Sequence, residues 1–146
     1  MNDSSILENV KFLDDEATAD VAFIASGKSL DEAFANAGLA LYHTIVDLNQ
    51  IEVNINFHRE WKAEDLKGLL YDFLDDLIYF FDTERLLLSI IKAEIIKENE
   101  NLYLLKIDGG GESYNLYKHD FNVHIKAVTF FGMEIGQKYV KVTLDI

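Results

Sequence analysis

Asp20-Val21-Ala22-Phe23-Ile24-Ala25-Ser26-Gly27-Lys28-Ser29-Leu30-Asp31-Glu32 contains a strand, a turn and a helix start in thirteen residues. Val21, Phe23 and Ala25 alternate with Asp20 and Ala22, which predicts a short strand entered from Asp20. Gly27 and Lys28 supply the turn. Ser29 to Glu32 is a capping box, in which Ser29 caps the helix start and Glu32 reaches back. Leu30, Phe34, Ala37, Leu41 and Ile45 then recur at helical spacing, so an amphipathic helix should run to about Leu48.

The pattern repeats further on. Ile51, Val53, Ile55 and Phe57 alternate with Glu52, Asn54 and Asn56, as a half-buried strand does. A second helix is expected from about Ala63 to Asp82; Leu66, Leu69, Leu70, Phe73, Leu74, Leu77 and Ile78 give it the wide apolar face of a central core helix. A turn at Asp82–Arg85 follows. Leu86–Glu98 and Leu102–Ile107 read as strands around a hairpin turn at Asn99-Glu100-Asn101. Gly109-Gly110-Gly111 reads as a turn or loop. Val123–Thr129 and Lys138–Ile146 complete the strands, the last with Val140, Val142, Leu144 and Ile146 on one face. The expected fold is α+β: a two-layer sandwich with two main helices on one face of a largely antiparallel sheet. The strand–helix–strand order occurs twice, although the halves share no residue-level repeat.

Composition bounds the function. The 146 residues, 49% hydrophobic and 27% charged, suit a single globular domain spanning 1–146, with no proline and no linker. There is no cysteine, which removes disulfides, thiolate metal sites and thiol nucleophiles. The N-terminus lacks the pattern of a signal peptide, and no apolar run approaches the ~18 residues of a membrane span, so a cytoplasmic protein is expected. A net charge of −13 disfavours direct nucleic-acid binding. It favours cations or a basic protein partner, or serves solubility alone.

Enzyme constellations are sparse. His43, His58, His119 and His124 form no H-x-x-x-H pair and flank no nucleophile-elbow serine. The glycine run lacks the lysine of a phosphate loop. Asp75, Asp76 and Asp82 read as a solvated helix face. Two places stand out: Glu16-Ala17-Thr18-Ala19-Asp20, leading into the first strand, and the Asp145-Ile146 strand end. Asp145 beside the terminal carboxylate offers oxygen ligands for a hard cation such as Ca²⁺ or Mg²⁺; the alternative is a strand that simply ends in Asp-Ile.

In these segments the chain resembles the archease family, from about Phe12 to Ile146. Glu16–Val21 is similar to the family's E/D-H-T-A-D-[IV], and Gly27–Phe34 to its G-K-T-L-E-E-A-F. Leu69–Leu77, Phe81–Glu84, Gly111-Glu112, Lys118-His119, Lys126–Thr129, Met133–Ile135 and the closing Asp145-Ile146 follow in the family's order. The resemblance implies a fold of strand–helix–strand–strand units. It also implies a protein that is not itself an enzyme but assists the RtcB-type RNA ligase of tRNA splicing, promoting its guanylylation and repeated turnover. It further implies a divalent metal, described for the family as calcium, held here by Asp20, Asp145 and Ile146. Lys126 stands at the family's functional lysine, and Glu16 in its signature. The chain departs from the pattern at Ala17, where the family has histidine, and at Phe130-Phe131, where an aromatic–histidine pair is usual. A phosphohydrolase using the same carboxylates and an inert interaction module are the alternative functions. A lysine beside carboxylates pairs with them or with a partner's phosphate, and the polar outer side of the last strand favours a monomer.

Overall fold

The computed structural model describes residues 7–13 and 20–146. Glu16 and Ala17 lie outside the described residues. Along the chain run β1 (Val10–Leu13), β2 (Asp20–Ser26), α1 (Leu30–Ile45), β3 (Ile55–Ala63), α2 (Leu66–Glu84), β4 (Leu86–Asn99), β5 (Leu102–Ser113), β6 (Ala127–Ile135) and β7 (Tyr139–Asp145). The fold is α+β with antiparallel pairing throughout, as expected. Its strands divide into two sheets, of order β1-β2-β7-β6 and β3-β5-β4.

The local signals around Ser29 hold. Its hydroxyl accepts the Glu32 backbone N–H at 3.3 Å. Glu32 reaches one residue further back than a standard box and accepts from the Lys28 N–H at 3.0 Å. Both helix-start donors are thereby satisfied. α1, rather than α2, is the more enclosed helix. Ala33, Phe34, Ala35, Ala37, Gly38, Leu39, Ala40, Leu41, Tyr42 and Ile45 are all buried, because small residues let neighbours close in on several sides. It packs against β2 and β7 of one sheet and β4 of the other. α2 is capped by Asp65, whose carboxylate accepts the Gly68 N–H at 2.7 Å. It runs through Glu84 and stops at Arg85, which takes the left-handed φ of 60°. The turn expected at Asp82 therefore begins three residues later.

Three strand boundaries differ from expectation. Ile51–Asn54 is not paired as a strand: a 3-10 turn at Leu48–Gln50, capped by Asp47, delays the strand to Ile55. β3 is an edge strand whose core face is carried by Phe57 and Trp61, while Val53 and Ile55 are exposed. The apolar alternation at Val123 and Ile125 does not mark a strand either. Asn122 N–H donates to Ile45 O at 2.8 Å and Phe121 bridges Val46, so this segment is tied to the end of α1, and β6 begins at Ala127. Gly109-Gly110-Gly111 is not a turn but the second half of β5, the central strand of its sheet. A Cβ on Gly111 would sit 1.8 Å from the Leu87 carbonyl oxygen, where β4 carries a register shift between Leu88 and Ile90. Only glycine admits that approach.

One core joins the layers. Phe23, Ala25, Val140, Val142 and Leu144 of the first sheet meet both helices and Leu105, Ile107, Phe57 and Trp61 of the second. Among the described residues no helix is long and apolar enough to cross a membrane.

Candidate functional site

Strand register decides what the sheet's outer face presents. Val21, Phe23 and Ala25 pair with Leu144, Val142 and Val140, and these turn toward the helices. With a period of two, Asp20 and Ala22 lie on the opposite face with Asp145 and Thr143, where Ala22 and Thr143 are covered and only the two aspartates are half-exposed. Asp20 is the direct partner of Asp145, and Asp145 the direct partner of Ala127 on β6. The two carboxylates thus stand side by side across adjacent strands, with Cβ atoms roughly 5 Å apart. Both residues, and Ile146, are half-buried. Neither carboxylate has a hydrogen-bond or ion-pair partner among the described residues.

Lys126 comes to the same place by its backbone: its N–H donates to the Asp145 carbonyl at 2.8 Å. It precedes β6 rather than lying in a strand, and its side chain is exposed. The structure therefore gathers Asp20, Asp145, Ile146 and Lys126 at one end of the four-stranded sheet. Two carboxylates and main-chain oxygens are ligand types found in the six-to-eight oxygen shell that Ca²⁺ takes. Among the described residues no group of three or more His, Asp or Glu side chains is assembled as a metal cage. The donor types fit a hard cation, but the described residues supply fewer than the six to eight oxygens such an ion takes.

A second polar cluster joins Glu112, Lys118 and His119, which stand out in the sequence only within the family pattern. Glu112, at the end of β5, is 6% exposed and His119 2%. His119 Nε2 lies 2.9 Å from Glu112 Oε2, while His119 Nδ1 accepts the Asn115 N–H at 2.9 Å. Nε2 must therefore carry the proton and donate it to the carboxylate. The same carboxylate accepts the Glu52 N–H at 2.8 Å and is paired with Lys118 Nζ at 2.8 Å. Lys118 also bonds Glu52. Burial would push the Glu112 carboxyl up, but the bonds from Lys118, the Glu52 N–H and His119 outweigh it and hold it at about 2. Gln50 and Asp120 add two further bonds, of 3.0 and 2.8 Å, between the same two loops. Every group in this cluster is satisfied, so it clamps residues 50–54 and 114–120 to β5. The 114–120 loop leads into the segment that delivers Lys126.

The remaining acids are more dispersed. Asp76 accepts from Trp61 Nε1 at 2.6 Å and Asp82 from His124 at 3.3 Å. Partial burial, then repulsion from Asp76, raises the carboxyl of Asp72; Asp75 is raised by burial, Asp76 and Asp72. His58 is held up by its bond to Asp108 and by Glu60 on the exposed face of the second sheet.

Two helices against antiparallel sheets, with a carboxylate pair at a sheet end, define a small α+β protein of a kind already known. A model of the archease protein family matches residues 11–146, and the chain belongs to that family. It is 34% identical over 135 residues to the archease of Methanosarcina mazei, covering 90% of this chain and 92% of that one. It is 36% identical over 120 residues to that of Pyrococcus furiosus, covering 82% and 84%. Its fold is similar to the solution structure of Methanobacterium thermoautotrophicum protein 1598, with a TM-score of 0.75 and 32% identity over 94% of this chain and 99% of that one.

Proposed function

We propose that this protein is an accessory activator of an RtcB-type RNA ligase in tRNA splicing, cytoplasmic and monomeric, and that it promotes guanylylation of the ligase without catalysing a bond change of its own. We further propose that Asp20, Asp145 and a main-chain oxygen of Ile146 hold a divalent cation, Ca²⁺. The observation that supports this reading is the direct pairing of Asp20 with Asp145, with no basic side chain on either among the described residues. Two like charges placed opposite each other on neighbouring strands destabilise a sheet. A cation shared between them reverses that sign. A bound divalent ion supplies positive charge that can be shared with a phosphate oxygen.

The chain's own part is positional. The register of β2 against β7 holds the carboxylates at fixed spacing, and the Lys126 N–H fixes the Asp145 main chain from the other side. The Lys126 ammonium, exposed and with no ion-pair partner among the described residues, meets the phosphates of a nucleotide on the partner. Glu16, four residues before Asp20 in the sequence, is a further candidate carboxylate. The test is the extent of ligase guanylylation from GTP with wild type, Asp20→Ala and Asp145→Ala. Wild type is expected to raise it and both variants to fail. Variants that stimulate as well as wild type would remove the cation site from the account.

A further inference from the structure

The edge of the four-stranded sheet is irregular next to the acid row. Thr129 pairs with Thr143 and Glu134 with Lys141, so β6 carries four residues, Phe130 to Met133, where β7 has only Val142. Met133 turns into the core, and Gly132 takes a φ of 67°. Phe130 and Phe131 are pushed out at 55% and 78% exposure. The Phe130 ring lies flat on Tyr71 of α2, with centroids 4.3 Å apart and planes 8° from parallel. A Cβ on Gly132 would lie 3.6 Å from Thr143 Oγ1, so the excursion wraps round to the outer face, two residues along β7 from Asp145. Around Tyr71, Asp75 stands one helical turn on and Asp72 beside it, both exposed; Lys67, one turn back, is the cation on this stripe.

Singly exposed apolar residues need no explanation. Here the backbone leaves its ladder to present two adjacent phenylalanines, one stacked to widen the platform, among carboxylates that repel one another. Aromatic faces beside carboxylates attract a guanidinium by both its plane and its charge. We infer that the Tyr71–Phe130–Phe131 edge, flanked by Asp72 and Asp75, is a docking surface for an arginine-bearing segment of a protein partner. The net charge of −13 opposes both RNA and a second copy of this chain as occupant. The surface is continuous with the Asp145 row, so one partner engages both. Resting on the proposed function, that partner is the RNA ligase.

The experiment titrates wild type, Phe131→Ser, Asp75→Asn and Asp20→Ala against the RtcB-type ligase of the same source, at low and high salt, with sedimentation of each protein alone. Phe131→Ser is expected to weaken binding about 10-fold or more, as loss of an aromatic anchor does, with an unchanged melting temperature. Asp75→Asn is expected to weaken it less and to flatten its salt dependence. Asp20→Ala should lose stimulation of the ligase while the Phe131→Ser effect on binding persists in its background, which separates the aromatic edge from the acid row. Phe131→Ser binding as wild type does, while wild type still stimulates, overturns this surface alone. Wild type that neither binds nor stimulates overturns the ligase reading with it. A wild-type dimer that Phe131→Ser converts to monomer makes the occupant a second copy and also overturns the inference.

Discussion

Replacing Glu112 by alanine removes the acceptor on which three donors converge. The Glu52 N–H and the buried Nε2–H of His119 lose their partner outright, while Lys118 keeps its bond to Glu52. An unsatisfied buried donor costs about 1–3 kcal/mol, while the part-exposed Lys118, still bonded to Glu52, adds little. A loss of roughly 2–4 kcal/mol follows, a large part of the 5–15 kcal/mol typical of a domain, and a fall in melting temperature of about 10 °C. Urea unfolding followed by fluorescence of Trp61 measures it. Trp61 is the chain's one tryptophan, packed 5.2 Å from the Phe73 ring and bonded to Asp76. Glu112→Gln keeps an acceptor for the Glu52 N–H and should lose less. A loss below about 1 kcal/mol for Glu112→Ala at unchanged m-value would refute the clamp.

The same carboxylate sets an acid window. Its folded pKa of about 2 lies below the ordinary 4.5, so its contribution is complete above pH 4.5 and vanishes as pH falls through 2; acid titration of Glu112→Gln should lack that component. Gly111→Ala places a Cβ 1.8 Å from the Leu87 oxygen, and a loss above about 3 kcal/mol or failure to fold is expected in thermal melts. Asp20→Asn removes the repulsion opposite Asp145. Without divalent ions it should stabilise the protein by up to about 1 kcal/mol, and added Ca²⁺ should raise the melting temperature of wild type alone.

Legibility in the sequence followed the range of the interactions. The capping box at Ser29 and the apolar spacing of α1 act within four residues, and both helices stand where the pattern places them. Strand ends depended on distant partners. The delay of β3 comes from the turn at Leu48–Gln50 and from Asn54 donating to Gly111 O, 57 residues on; the late start of β6 comes from Phe121 and Asn122 being bound to the end of α1. The glycine run misled because glycine marks close approach as well as turns. Asp20 and Asp145 stood out in the sequence as two strand ends, but their pairing required the register of β2 on β7. The Glu112 clamp was not legible, since its partners lie 6, 7 and 60 residues away and no local period connects them.

The proposed role of this protein is that of an RNA-ligase cofactor. Its most direct test counts joined RNA ends per molecule of the RtcB-type ligase, with and without this protein, in GTP and divalent metal. Ligase alone is expected to stall after few turnovers, and a substoichiometric amount of this protein to restore repeated turnover. An unchanged count at saturating protein would contradict it.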